Sequence, residues 1–342
     1  MSWQDQLQGD SLSWLLEPDS PGARYVAMRH LLDLDQDNAE LGTARELAHQ
    51  QGPINTILAE IDSQGFWVEP GPGYNPKYRS TVWCIIMLAQ LGASLHEDQC
   101  ISRACDYVLE HALAAGGRFS ASGAPSGTAD CLQGNMCWAL LELGVAPDRL
   151  YAAFDWMARS ITGDGVAPIS ERQAALRYYA GNCGPSFACG SNNKLPCAWG
   201  GVKEMLALSA WPADQRTEPI RHAITQGAEF LLGPDPALAA YPTGYSDKPS
   251  SNWWKFGFPV FYVTDLLQNV EALLRLGYAS DPRLTNALDL IRNKQDDHGR
   301  WSLDYDYHGK TWVDFWQKGQ ANKWVTLRAL RVLKMADSGA VM

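Results

Sequence analysis

Six times along this chain a loop rich in glycine or proline gives way to a dense apolar helix that stops at or near a Leu-Gly or basic boundary. The two clearest copies run from Gly65 to Gly92 and from Gly117 to Gly144; they have the same length, open on Gly-x-aromatic and close on Leu-Gly. Self-similarity of this kind marks a repeat architecture, because a unit that cannot bury its apolar face alone must stack on its neighbours. Looser copies supply apolar helices from Ala23, Pro196, Phe261 and Lys323. Six such helices can close a ring.

Between them lie amphipathic segments, from Gly42, Glu97, Pro147, Glu218 and Asp281. In the last, Leu284, Leu288 and Ile291 share one face while Arg283, Asn286 and Arg292 point elsewhere, the spacing of a helix that buries a single stripe. The run from Val82 to Leu91 is apolar nearly all round and must be covered on both sides. The simplest arrangement that satisfies both patterns is all-α: an outer ring of amphipathic helices around an inner ring of buried ones. Length alone suggests two domains. The repeats nevertheless run from end to end without a low-complexity linker, so a single domain over residues 1–342 is expected. The Leu-Gly endings predict left-handed helix caps.

A hydrophobic content of 46% supplies a sizeable core, and a formal charge of -10 without a basic run argues against nucleic acid as a partner. No stretch reaches 18 apolar residues, and the N-terminus lacks a signal-peptide pattern, so no transmembrane segment and a cytoplasmic location are expected. Eight cysteines in that setting read as thiols or metal ligands.

The stretch around Gln295, Gly299 and Trp301 resembles the Q-x3-G-x-W repeat of squalene and oxidosqualene cyclases, and Gln64-Gly65-Phe66-Trp67 is similar to a shortened copy. The whole chain resembles a single α6/α6 toroid of the terpenoid cyclase and protein prenyltransferase superfamily. In that family Gln295 and Trp301 would tie outer helix to loop, a mark of architecture and not of chemistry.

In such a ring the first turns of the inner helices gather at one mouth, where helix N-termini favour anions and thiolates. Cys131 and Cys197 open two neighbouring inner helices, and Cys183 and Cys189 lie in the intervening loop. Thiolates brought together repel unless they share a cation, so a zinc ion held by Cys131, Cys183, Cys189 and Cys197 is expected, against separate buried thiols. Three cysteines with an open position would serve catalysis; four would be structural. Cys84, Cys100, Cys105 and Cys137 sit in helical patterns and read as core. The resemblance adds that prenyltransferases bind zinc through Asp, Cys and His, which invites comparison with Asp130-Cys131, although no histidine lies between 183 and 197. A group of bacterial cyclase-like proteins is more similar at Cys131-Leu132-Gln133-Gly134-Asn135.

Aromatic residues crowd the same loops and first turns: Tyr78, Trp83, Trp254, Tyr262 and Trp316, with Lys255 between Trp254 and Phe256. They predict an aromatic-lined central cavity for a hydrophobic small molecule, against simple helix sealing. No D-x-D-D acid of the class II cyclases is present. The candidate acids are Asp130, also a possible helix cap, and Asp265, a lone acid in an apolar run where burial favours the protonated form. An ion pair with a neighbouring inner helix is the competing account of Asp265. His308 ends the polar run Asp304–His308 and offers an imidazole. These readings predict an enzyme acting on an isoprenoid-like or aromatic molecule by acid- or metal-assisted isomerisation, cyclisation or elimination, with no nucleotide cofactor. A zinc-dependent lyase or hydrolase, and a non-catalytic binding protein with a structural zinc, stand beside it.

Overall fold

The computed structural model describes residues 2–35, 37–168, 170–174, 177, 181–315 and 317–339. Its helices are α1 (Ser11–Leu15), α2 (Pro21–Leu31), α3 (Ala39–Gln50), α4 (Pro53–Leu58), α5 (Thr81–Gln90), α6 (Gln99–His111), α7 (Asp130–Glu142), α8 (Pro147–Thr162), α9 (Ala198–Ala210), α10 (Glu218–Leu232), α11 (Leu266–Arg275), α12 (Thr285–Asn293) and α13 (Lys323–Ser338). A short antiparallel pair, Leu113–Ala114 with Arg118–Phe119, is the sheet among the described residues. The chain is all-α, as the periodicity requires.

The ring follows from burial. Every residue of α5 from Thr81 to Ala89 is buried, and α7, α9 and α11 are covered almost as completely, whereas α12 buries Ala287, Leu288 and Ile291 alone. The inner helices meet in order: α5 on α7, α7 on α9, α9 on α11, α11 on α13 and α13 on α2. Gly92, just beyond α5, closes the circle, since a Cβ there would meet Val26 of α2 at 2.9 Å.

The Leu-Gly signals end three inner helices by one geometry. Gly92, Gly144 and Gly277 take φ of 77°, 101° and 95°, and the next residue donates back to Leu88, Leu140 or Leu273, closing a Schellman cap. The tryptophan signals recur as well. Trp67 donates its indole N–H to Ile57 O and its amide to Thr81 Oγ1, at 2.8 and 3.1 Å; Trp301 does the same to Ile291 O and Thr326 Oγ1, at 2.8 and 2.9 Å. Each thus ties the end of an outer helix to the first turns of an inner one. Gln295 bridges the backbone of Gln6, Gln8 and Arg292.

The lumen is not an open aromatic chamber. Polar pairs stand on and between the inner helices: Asp265 with Arg328, Glu271 with Arg275 and Arg331, and Glu142 with Arg275. Lys203 donates to Gln268, which also accepts from Thr264. The larger cavities open at the mouths, and a smaller one of about 40 Å³ inside the ring is lined by Trp138, Leu206, Gln268 and Arg328 among others. Among the described residues no helix is long and apolar enough to cross a membrane.

Candidate functional site

At the mouth where the inner helices begin lies a cavity of about 480 Å³. Asp130 and Cys131 come from the first turn of α7, and Cys197 and Trp199 from the start of α9. Cys189 and Asn182 come from the loop between, while Tyr241, Tyr245 and Trp253 enclose the other side and Tyr74 and Tyr262 complete it.

Backbone pairing brings the loop to the helix starts. Asp130 N donates to Asn182 O at 3.2 Å and Cys197 N to Phe187 O at 2.8 Å, so the loop is pinned at both ends. Within it Cys189 N donates to Leu195 O and Lys194 N to Cys189 O, forming a tight turn in which Asn193 and Lys194 take positive φ. Asn182 Oδ1 accepts from Ser191 N and Oγ, at 3.1 and 3.0 Å. Asn192 donates to Pro196 O and Pro242 O, fastening this loop to the 239–253 segment.

Three of the four expected cysteines meet here. Cys197 stands beside Cys131 on one side and Cys189 on the other. The contact with Cys131, together with burial, pushes the Cys197 thiol up to about 12, and the contact with Cys197 followed by burial raises Cys189. Cys183 is not in the cavity wall; it packs with Trp156 and Val166 in a separate cluster. Among the described residues no three His, Cys, Asp or Glu side chains are drawn together into a metal-holding group, and no cysteine forms a disulfide.

Asp130 is 3% exposed and its Oδ2 has no hydrogen-bond partner. Burial first, then the neighbouring Cys189, raises its pKa well above the ordinary 3.8. Behind it, Glu204 on the second turn of α9 is buried with neither carboxyl oxygen partnered; burial and then Asp130 raise its pKa as well. The site thus contains two adjacent carboxyls that favour the protonated state. Lys203, 1% exposed, is lowered to about 7 by burial, opposed by Asp265 and Cys131. The chain announced both residues as Lys203-Glu204, a charged pair inside the otherwise apolar run from Ala198 to Leu208.

The remaining candidates lie elsewhere. Asp265 is not a lone acid. It caps α11 by accepting from Gln268 N at 3.0 Å and receives both guanidinium nitrogens of Arg328, at 2.7 and 2.8 Å, so the ion pair accounts for it. His308 is 74% exposed and pairs with Asp314 at 3.1 Å, away from the cavity, because its loop runs over the surface. Trp83 is 1% exposed and packs with Tyr78, Phe261 and Tyr262, ring centroids 5.0 to 5.3 Å apart, filling the core beneath the mouth. Tyr78 belongs to the same stack, through Tyr307 at 4.5 Å, and lies off the cavity wall. Trp254 is held by its indole N–H to Ala237 O, and Lys255 is exposed beside Ser251; neither lines the cavity. Trp316 lies outside the described residues. Tyr262 does line it, its hydroxyl buried beside Tyr74 and Cys131, and burial raises its pKa well above the ordinary 10.0.

No protein-family model matches this chain, and no curated protein matches it in sequence. Among solved structures it is similar to the type II terpene cyclase MstE from Scytonema, determined in complex with geranylgeranyl dihydroxybenzoate as substrate. The likeness spans 87% of this chain and 97% of that one, with 12% identity and a TM-score of 0.33.

Proposed function

We propose that this protein is an enzyme that isomerises or cyclises a hydrophobic, alkene-bearing or aromatic small molecule in the mouth cavity, with Asp130 as the acid. One observation carries the reading: a buried carboxyl with a raised pKa and an unpartnered oxygen stands in the wall of an aromatic-rich cavity. A volume of about 480 Å³ suits a small-molecule site. Proton transfer from Asp130 to a substrate alkene carbon forms a C–H bond and leaves a carbocation, which the faces of Tyr74, Trp199 and Tyr262 stabilise. Loss of a proton from a neighbouring carbon to the Asp130 carboxylate restores the acid, so the net reaction is an isomerisation or cyclisation with no atoms gained or lost. Burial, with Cys189 beside it, keeps Asp130 protonated between turnovers.

The test is product analysis by gas chromatography and mass spectrometry after incubation with polyprenyl and aryl-prenyl alcohols of graded length. Asp130→Asn should reduce turnover by at least about 100-fold, the scale of general acid catalysis, with the melting temperature little changed, because the amide replaces a neutral carboxyl. Wild-type activity should fall as pH rises through the raised pKa of Asp130, since the acid must be protonated. Turnover retained in Asp130→Asn would overturn the assignment, and binding without turnover would favour a carrier.

A second reading rests on the thiols. Cys197 stands beside both Cys131 and Cys189, with the orphaned Asp130 Oδ2 next to Cys189; drawn closer together, these atoms would make a sulfur and oxygen donor set of the type zinc accepts. Bound there, zinc would supply Lewis-acid chemistry for a lyase or hydrolase, or fasten the loop. Elemental analysis decides it. About one zinc per chain, lost in Cys197→Ser and kept in Cys183→Ser, is the expected result; absence of metal from the wild type, or metal kept in Cys197→Ser, rejects it.

A further inference from the structure

The opposite mouth of the ring carries a second cavity, of about 330 Å³. Its wall is polar: Arg29 and His30 from the last turn of α2, Glu142 from the end of α7, Ser209 from α9 and Arg275 from α11. The charges here do not balance. Arg275 is held by Glu142 and Glu271, both at 3.1 Å, and Arg331 by Glu271 at 3.0 Å. Nearby Lys334 is matched by Asp33, and Arg328 by Asp265. Two carboxylates thus face three guanidinium groups, and among the described residues no hydrogen bond or ion pair holds Arg29.

Two further observations point to a missing partner. The Nε atom of Arg275, in the cavity wall, is buried without an acceptor. His30, shielded by burial and facing Arg331, Arg29, Arg275 and Lys334, is held well below its ordinary 6.5, which leaves a neutral imidazole among four cations. The carbonyl ends of parallel helices do draw cations to this mouth. Arg275 and Arg331 already answer that field while held by carboxylates, whereas Arg29 is exposed at the rim.

We propose that this cavity is a binding site for an oxyanion, the phosphate or carboxylate group of a small metabolite, with Arg275 in its wall and Arg29 as the closing contact. A guanidinium fork presents paired N–H donors that match either group. The site is separate from the thiol-lined mouth and does not depend on the chemistry assigned there.

Thermal melting of the full chain tests it at constant ionic strength, with inorganic phosphate, acetate or chloride as the varied anion. Phosphate or acetate should raise the wild-type melting temperature saturably, by about 2–4 °C; which of the two acts identifies the group. Arg29→Gln should melt like the wild type in chloride and show no anion-dependent rise, and Arg29→Lys should keep part of it. No rise with either anion, or an equal rise in Arg29→Gln, overturns the site. A lower melting temperature of Arg29→Gln in chloride also overturns it, because Arg29 would then serve the helix ends.

Discussion

Asp130 and Asp265 stand at comparable places, the first turn of α7 and the cap of α11, and differ in what faces them. Asp265 has Arg328 and two backbone amides, of Gln268 and Gly257; Asp130 has Cys189, Glu204 and an empty oxygen. The pair with Arg328 is buried on both sides, at 4% and 10% side-chain exposure. Removing one partner strands the other charge, so Asp265→Asn should cost about 3–5 kcal/mol. Denaturant unfolding would measure the loss; a change below about 1 kcal/mol, the range of an exposed pair, would contradict it. The sequence marked both aspartates as candidates but held no sign of which would find a cation, because Arg328 lies 63 positions away from Asp265.

At the scale of elements, glycine sets both the ends of helices and the distance between them. A Cβ at Gly134 would stand 2.4 Å from the carbonyl carbon of Lys203, and one at Gly200 would stand 2.9 Å from the Cβ of Asp130. The close approach of α7 and α9 therefore holds Asp130 against Glu204 and aligns Cys131 with Cys197. Gly134→Ala should separate these helices, at a cost of about 1–3 kcal/mol, and should lower the pKa of Asp130 by admitting water. The unfolding free energy and the pH profile of activity read the two effects independently. The start of α11 was less legible. Phe261 and Tyr262 look like helix, yet they precede it, because their rings fill the aromatic stack beneath the mouth.

The molecule as a whole depends on joining its two ends. Trp3 N donates to Asp337 Oδ2, α1 packs on α13, and α13 stands between α11 and α2. A chain ending at Ala321 would lose Arg328 and expose the facing sides of α2 and α11. It should lack near-ultraviolet circular dichroism and bind hydrophobic dyes, as a partly folded state does; a native-like spectrum from that truncation would show that closure is dispensable. The sequence by itself determined the alternation of inner and outer helices, their glycine-capped ends and the tryptophan ties, because helical period, left-handed caps and short-range hydrogen bonds are local. Only the tertiary structure decided that Cys183 lies outside the cavity wall, that Lys203 and Glu204 turn inward, and that buried ion pairs stand between the inner helices while the larger cavities open at the mouths. Those outcomes depend on which distant side chains meet, and burial then fixes their charge states.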